Sequence, residues 1–403
     1  MARIVLKFGG TSVAGISRIR KIARLIQAQV EAGDEVAVVT SAMAGATNQL
    51  VALTKEASKL ADGPEYDAVI SSGEQVVTGL LSLALQAIGV KARSFQGWQI
   101  PLYTDEAFTN AFIHKVEPAN LNKCLREKMV PVIAGFQGIT QTGQITTLGR
   151  GGSDTTAVAI AAAIKADRCD IYTDVDGIYT TDPRIVPGAR KLDKISYEEI
   201  LELASQGAKV LQTRSVEIAM RHKVKVQVLS SFTWEKGTLV VDEKDMDQSS
   251  VKPVSGIAYS KDDAKISLRG LPDTPDAQVS VFTPLARANI SVDMIAQAGS
   301  AEGHTDITFT VPKGDLDKAL EILKKNFKNI ESDNHVVKVS VVGLGMRSHS
   351  GIAEVMFKAL AEKGIKIQVI TTSEIKISVL IAEEYLELAL RALHAAYGLE
   401  KND

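Results

Sequence analysis

Two glycine-rich turns, each carrying a basic residue, hold most of the chemistry that this sequence offers. The first is Lys7-Phe8-Gly9-Gly10-Thr11-Ser12, directly after the apolar run Ile4–Leu6. Glycines let the backbone pass close to a ligand, and their N–H groups can point into one concave site. A following helix turns its positive end to the same place. Lys7 would stand where a triphosphate arrives. Taken alone, the segment reads equally well as a tight strand-to-helix turn with a solvated lysine. The second turn, Gly149-Arg150-Gly151-Gly152-Ser153-Asp154-Thr155-Thr156, opens the alanine-rich helical run Ala157–Ala163. Ser153 is a natural N-cap. Capping does not explain three glycines beside Arg150, whose fork suits bidentate capture of a carboxylate. With two such anion turns and no other catalytic set, phosphoryl transfer is the leading reaction class.

A third segment, Thr173-Asp174-Val175-Asp176-Gly177-Ile178-Tyr179-Thr180-Thr181-Asp182-Pro183-Arg184, follows a strand pattern at Asp170–Thr173. It gathers polar groups and a ring at the ligand-binding end of a parallel strand. Its aspartate spacing resembles a calcium loop only superficially. The glycine comes too early, Pro183 interrupts, and the terminal glutamate is missing. The six histidines have no catalytic spacing.

The elements that must position these residues are legible as strands alternating with helices. Strands are expected at 4–6, 36–39, 131–134, 170–173 and 224–229. Helices are expected at 19–30 (Ile19, Ile22, Ala23, Ile26 and Val30 on one face, stopping at Gly33), 153–166, 197–205 and 208–221. The pattern predicts an α/β fold, a mostly parallel sheet covered by helices on both faces. It runs to about Val241. The polar stretch 242–253 reads as a linker. Beyond it the pattern appears twice: 264–270 matches 337–343, 277–288 matches 351–362, 289–294 matches 364–369, and 305–311 matches 373–381, each copy followed by a further helix. Each copy is a ferredoxin-like βαββαβ unit of about 70 residues. The expected domains are 1–245, a linker and lead-in at 246–263, and repeats at 264–333 and 334–403.

Across 403 residues, 45% are hydrophobic and 23% charged, with a net charge of −2. That is the profile of a multidomain soluble protein, with nothing to attract nucleic acid or an anionic membrane. Cys124 and Cys169 suit neither a zinc site nor a disulfide framework and read as reduced thiols. The N-terminus enters a strand pattern at once, so no signal peptide is expected. No uninterrupted apolar stretch of membrane-spanning length is seen. A cytoplasmic location follows as the expectation.

The runs KFGGTS (7–12), SAMAGATNQL (41–50), SGEQV (72–76), TTLGRGGSDTTA (146–157) and TDVDGIYTTDPR (173–184) resemble the aspartate kinase branch of the amino acid kinase family, and the tandem repeat resembles the paired ACT domains of those enzymes. The likeness spans essentially the whole chain. It implies transfer of the ATP γ-phosphoryl group, with Mg²⁺, to the β-carboxylate of L-aspartate. That is the first step toward lysine, threonine and methionine.

By position, the resemblance implies that Lys7, Gly9, Gly10 and Ser41 cradle the ATP phosphates. Thr173, Asp174, Tyr179, Asp182 and Arg184 hold the adenosine and neighbouring phosphates, with Lys209 nearby. Thr47, Glu74, Arg150 and Ser153 grip aspartate, Glu74 at its ammonium and Arg150 at a carboxylate. Asp154 is the acid that organises the site around Lys7. No resident metal site is implied. Without the resemblance, Ser41 and Thr47 read as turn hydroxyls and Glu74 as a surface acid.

In the first repeat the resemblance implies a feedback site for lysine or threonine at Asp273, Thr274, Asp293 and Gln297; capping and turning are the plain alternative. Asp276 stands where the family usually has glycine. The second repeat departs further, with Ser350 in a usual proline place and Lys366 replacing asparagine, while Thr371–Glu374 is retained. A homodimer or larger assembly through the ACT domains is expected. Met246 offers a start for a separate regulatory chain.

Three other readings compete. Another member of the kinase family, acting on glutamate, acetylglutamate, a nucleotide or carbamate, would share the glycine turns but not SGEQV or the ACT pair. A nicotinamide dehydrogenase is prompted by Val342-Gly343-Leu344-Gly345, but Ser348 stands where the third glycine belongs. A sensor with a decayed kinase domain is disfavoured by intact Lys7, Glu74, Arg150 and Asp154. Since the chain ends soon after the second repeat, no fused homoserine dehydrogenase is expected.

Overall fold

The computed structural model describes residues 1–59, 62–206, 210–233, 235–246, 252–299, 303–347 and 349–400. Lys209 and much of the 242–253 stretch lie outside them. Among the described residues two compact units form. One holds 1–178, 191–204 and 210–246; the other holds 179–190, 205–206 and 252–400.

In the first unit the strands are β1 (Arg3–Phe8), β2 (Glu35–Thr40), β3 (Ala92–Phe95), β4 (Leu102–Thr104), β5 (Ile113–Val116), β6 (Val130–Ala134), β7 (Gln137–Ile139), β8 (Ile145–Thr147), β9 (Arg168–Thr173), β10 (Lys194–Ser196), β11 (Val226–Ser230) and β12 (Thr238–Val241). The helices are α1 (Ile16–Glu31), α2 (Ala46–Ala57), α3 (Gly63–Ile70), α4 (Ser72–Ala87), α5 (Ala119–Arg126), α6 (Gly152–Ala163), α7 (Tyr197–Ser205) and α8 (Thr213–His222). Eight strands make one sheet in the order β10-β12-β11-β9-β1-β2-β6-β3. Every neighbouring pair is parallel except β11 with β12.

Central strands buried on both faces read as continuous apolar runs, and β1 (RIVLKF) and β2 (EVAVVT) do so. Alternate residues Ile4, Leu6 and Phe8 face α1 and α4 in one core. The opposite parity carries Lys7, which reaches α6 on the other face. Helix α6 is buried over most of its length, and beyond its polar first turns Ala157–Ala163 is apolar all round, as a helix against a sheet interior must be. A smaller sheet, β5-β4-β7-β8, went unforeseen. The α3–α4 stretch, Gly63–Ala87, is long and apolar enough to cross a membrane by length and composition, but half of it is buried in the fold. Asp67 within it takes hydrogen bonds from the Thr109 N–H (2.9 Å), the Thr147 N–H (2.7 Å) and the Thr147 hydroxyl (2.8 Å). It is a core helix pair tied to polar neighbours.

The second unit holds two antiparallel four-stranded sheets. The first repeat is β14 (Asp263–Pro272), α9 (Asp276–Arg287), β15 (Asp293–Gly299), β16 (His304–Pro312), α10 (Leu316–Leu323) and β17 (Ile330–Asp333), in sheet order β15-β16-β14-β17. The second is β18 (Val336–Val342), α11 (Ile352–Glu362), β19 (Val369–Thr372), β20 (Lys376–Ala382) and α12 (Leu386–Ala396). Its fourth strand is β13 (Gly256–Ser260), which pairs with β18 in the order β13-β18-β20-β19.

Two sequence expectations change here. Residues 256–260, expected as linker and lead-in, are a sheet strand. The second repeat lacks a βαββαβ strand after α12 among the described residues, because β13 already fills the position beside β18 that β17 fills beside β14. The Gly343–Gly345 pair also finds its reason. A Cβ on Gly343 would lie 2.2 Å from the Pro253 carbonyl oxygen, and one on Gly345 would lie 2.5 Å from Pro253 Cα. These glycines admit a close chain crossing, which accounts for the pair without a nucleotide.

Candidate active site

The carboxyl ends of the adjacent strands β1, β2 and β6 bring three loops and three helix starts together. After β1, the Gly9 N–H donates to the Tyr172 carbonyl (3.2 Å). It is therefore spent on the fold. A Cβ on Gly10 would sit 3.0 Å from the Ala42 carbonyl oxygen, so glycine lets the loops after β1 and β2 touch. The loop after β2 runs through Ser41, whose N–H donates to the Phe8 carbonyl (3.0 Å). It then enters α2, whose N-cap Gly45 is left-handed at φ 84° and whose first turn carries Thr47. Gly73 in the first turn of α4 would put a Cβ 2.8 Å from Ala42 Cβ. Beside it, Glu74 Oε1 accepts from the Ala42 N–H at 3.0 Å.

From the other side comes the Arg150 turn. Gly149 (φ 77°) and Gly151 (φ 71°) adopt the left-handed conformation that glycine alone takes without strain. Gly151 is the N-cap of α6, so Ser153 stands inside the first turn and does not cap the helix. That corrects the capping alternative. Arg150 is held out between the two glycines and is exposed. A Cβ on Gly135, after β6, would meet Ser153 Cβ at 2.7 Å. This contact sets how close the α6 start can come to β6.

The two turns meet in one contact: Lys7 Nζ lies 2.6 Å from Asp154 Oδ1, with both side chains about nine-tenths buried. Asp154 also sits in the first turn of α6, where the helix dipole favours a negative charge. A Cβ on Gly9 would stand 3.5 Å from Lys7 Nζ, so glycine keeps the space beside the ammonium open. Glu74 is 3% exposed, and its Oε2 is buried without a hydrogen-bond partner among the described residues. Burial pushes its carboxyl up to about 7, against the Ala42 N–H, which favours the charged form. A buried orphan carboxylate oxygen suits an incoming ammonium.

In the 173–184 run, Thr173 ends β9 and its hydroxyl donates to Asp174 (3.1 Å). The Ser231 N–H donates to the Thr173 carbonyl (3.0 Å). Two supports were missed in the sequence. Ser12 donates to Ser231 Oγ (2.8 Å), and Arg18 donates to the Ser231 carbonyl (2.8 Å) while lying over the Phe232 ring. No local signal ties residues so far apart in the chain. Tyr179, Asp182 and Arg184 belong to the second unit, where Asp182 and Arg184 form a two-point pair (3.0 and 2.8 Å). Lys209 lies outside the described residues.

Of the expected feedback residues, Asp273 and Thr274 lie exposed just before α9, and Asp276 begins that helix. Gln297 accepts from Gln278 of α9 (2.9 Å). Asp293 is turned instead to Lys338 of the second repeat, Oδ2 to Nζ 2.6 Å. Burial would raise the Asp293 carboxyl, but the Lys338 ammonium outweighs it and holds the group below its usual range. A cavity of about 260 Å³ opens there, lined among others by Asp293, Lys338, Thr371, Thr372 and Lys376.

Comparison with known proteins gives the family. The amino acid kinase family profile matches residues 2–230, and an ACT domain profile matches 266–327 and 339–397. The aspartokinase of Pseudomonas aeruginosa is 51% identical over 405 residues, covering 99% of this chain and 98% of that protein. The crystal structure of E. coli aspartokinase III in complex with aspartate and ADP (R-state) superposes with a TM-score of 0.81 at 29% identity, covering 98% of this chain and 99% of that one. The same E. coli enzyme with lysine and aspartate (T-state) gives 0.77, also at 29%, covering 97% and 98%. With the family profile matching more than half of the chain and a relative about half identical nearly end to end, this chain belongs to the amino acid kinase family.

Proposed function

We infer that this chain is an ATP-dependent kinase that phosphorylates the β-carboxylate of L-aspartate, giving 4-phospho-L-aspartate and ADP. The observation that carries the reading is the Lys7–Asp154 contact where the two glycine turns converge. It occurs in a chain about half identical, nearly end to end, to an aspartokinase.

A carboxylate is already ionised at neutral pH, so no strong general base is needed. A β-carboxylate oxygen attacks the γ-phosphorus, the bond to the β,γ-bridging oxygen breaks, and ADP leaves with that electron pair. The protein's work is to hold donor and acceptor in line and to offset the charge that develops. Lys7, pre-aimed by Asp154, offers a cation for the phosphoryl oxygens. The N–H groups of Gly10 and Thr11 and the starts of α2 and α6 add partial positive charge. Glu74 takes the substrate ammonium, and Arg150 its α-carboxylate. Mg²⁺ enters with the nucleotide as part of the substrate.

Steady-state ADP release with aspartate, glutamate and homoserine in turn tests the assignment. Turnover with aspartate alone is expected; equal turnover with glutamate would assign the site to another acyl kinase.

The regulatory reading rests on the second unit. The Asp293–Lys338 cavity holds one acid and two lysines, Lys338 and Lys376, a charge set that fits a zwitterion. Lysine is bound in the E. coli T-state structure, and lysine or threonine is the ligand class we assign here. Asp273, Thr274 and Gln297 lie on the same repeat as a second group of contacts. Residues 1–245 form the kinase domain, 264–333 and 334–403 the two ACT domains with β13 lent to the second, and 246–263 the connection. A cytoplasmic homodimer or larger assembly through the ACT domains completes the proposal.

A further inference from the structure

Asp67, on α3, is wholly buried and takes no part in the transfer described above. Its carboxylate nonetheless ties α3 to two other segments of the first unit. Oδ2 accepts from the Thr109 N–H (2.9 Å) and the Thr147 N–H (2.7 Å), and Oδ1 from the Thr147 hydroxyl (2.8 Å). Burial pushes this carboxyl up, against those three hydrogen bonds. Thr109 is held at φ 68°, a left-handed conformation that a β-branched residue rarely takes. Its carbonyl and the Asn110 side chain lie against Gly149. A Cβ on that glycine would stand 3.4 Å from the Thr109 carbonyl oxygen and 2.8 Å from Asn110 Oδ1. Thr147 ends β8, two residues before the same glycine. Arg214 completes the clamp, with Nη1 donating to the Asn110 carbonyl (3.3 Å) and the Leu148 carbonyl (3.4 Å). On the far side of the turn, a Cβ on Gly151 would run into the Gln212 side chain. The turn that carries Arg150 is thus gripped at both flanking glycines. Arg150 itself is exposed, and its side chain makes no ion pair or hydrogen bond among the described residues.

Asp67 is also tied to Glu74. Ser71, between α3 and α4, keeps helical angles (φ −79°, ψ −9°). Asp67 therefore stands about two turns before Glu74 on one nearly continuous helical run. Glu74 and the start of α6 flank neighbouring strand ends: the Ala42 N–H, after β2, donates to Glu74 Oε1 (3.0 Å), and Lys7 of β1 meets Asp154 (2.6 Å). We propose that Asp67 is a positioning residue for the amino acid substrate. It fastens the helix that carries Glu74 to the turn that carries Arg150, and so sets the span between them. An amino acid presents its ammonium and α-carboxylate on one carbon, at a fixed separation. A site that takes both ends works only when its acid and its arginine stand the matching distance apart. That the amino acid is aspartate rests on the kinase reading; the clamp rests on contacts within the first unit. No local pattern marks Asp67, because its partners lie 42 and 80 residues further along the chain.

The test compares Asp67→Asn with Asp67→Ala. In Asp67→Asn the amide oxygen can take both N–H groups while the amide NH₂ donates to the Thr147 hydroxyl. All three contacts then survive, and every kinetic constant should stay within about twofold of the parent. Asp67→Ala loses all three. It should raise the aspartate KM about tenfold and leave the ATP KM within about twofold, since the Lys7–Asp154 pair keeps its own supports. Thr147→Val removes a single hydroxyl; it should raise the aspartate KM about threefold, and it decides the matter if Asp67→Ala does not fold. Hydrogen exchange in peptides covering 145–153 should quicken in both impaired variants, while peptides covering β1 and β2 keep the parent's rates. An unchanged aspartate KM in folded Asp67→Ala or in Thr147→Val overturns the proposal. So does a joint rise of both KM values with a fall in melting temperature, the mark of a merely structural acid. An Asp67→Asn variant as impaired as Asp67→Ala overturns it too. Should the parent show no aspartate-dependent turnover, the kinase reading fails, and the exchange rates still decide whether Asp67 holds the turn.

Discussion

At the scale of single residues the site is a balance of two buried ionisations. Lys7 and Asp154 offset each other's desolvation, and removing one partner of such a pair costs ~3–5 kcal/mol. Among the described residues Glu74 has no such partner, and burial pushes its carboxyl up to about 7. Only its ionised form can hold the aspartate ammonium. Aspartate kcat/KM is thus expected to fall about tenfold per pH unit below pH 7 while the ATP KM stays flat. Glu74→Gln should lower aspartate kcat/KM by about two orders of magnitude and flatten that profile. A pH profile unchanged by Glu74→Gln would remove the residue from substrate binding. The sign for stability is the reverse of the usual carboxylate. Between pH 4.5 and 7 the folded chain keeps a proton that the unfolded chain releases, so stability falls as pH rises through that window. Thermal melts of parent and Glu74→Gln across it should show the parent's slope disappearing.

At the scale of elements, close approach is what aims the side chains. Gly135 allows the first turn of α6 to lie against the end of β6. Gly135→Ala should cost ~1–3 kcal/mol by overpacking. It should also raise the aspartate KM, because Ser153 is pushed off its position; denaturant melts and kinetics read both. An alanine variant with native stability and kinetics would mean the loop gives way freely.

The same scale shows what the sequence made readable. Strands β1, β2, β6 and β9 and helices α1, α6 and α7 were visible because doubly buried strands are apolar throughout and α1 keeps one apolar face. Lys7 and Arg150 were visible because they stand on glycine-rich turns, whereas Asp154, inside the first turn of α6, took its role from the resemblance alone. The sheet β5-β4-β7-β8 was not, since β4, β7 and β8 are only three residues each and too short to show a period. Capping, the plain alternative for Ser153 because serine favours that position, fails because the left-handed Gly151 takes it. The Ser12–Arg18–Ser231 brace and the β13–β18 pairing depend on contacts distant in sequence, which no local pattern encodes.

At the scale of the whole molecule, catalysis and sensing must be joined by a difference in affinity between states. The Asp293–Lys338 cavity supplies a site at which an amino acid would exchange one ion pair for others. Isothermal calorimetry with lysine, with threonine and with both should give heat for at least one. Asp293→Asn should reduce that heat at least tenfold in affinity. No heat from any of the three mixtures would remove the sensing role.

The account as a whole stands on Lys7 at the meeting point of the two glycine turns. Its most direct test is hydroxylamine trapping of the acyl phosphate formed from aspartate and MgATP, comparing the parent with Lys7→Ala whose fold is verified by circular dichroism. The parent should yield aspartyl hydroxamate, and Lys7→Ala should yield it at least about a hundredfold more slowly. Hydroxamate formed by a folded Lys7→Ala at the parent's rate would contradict the account.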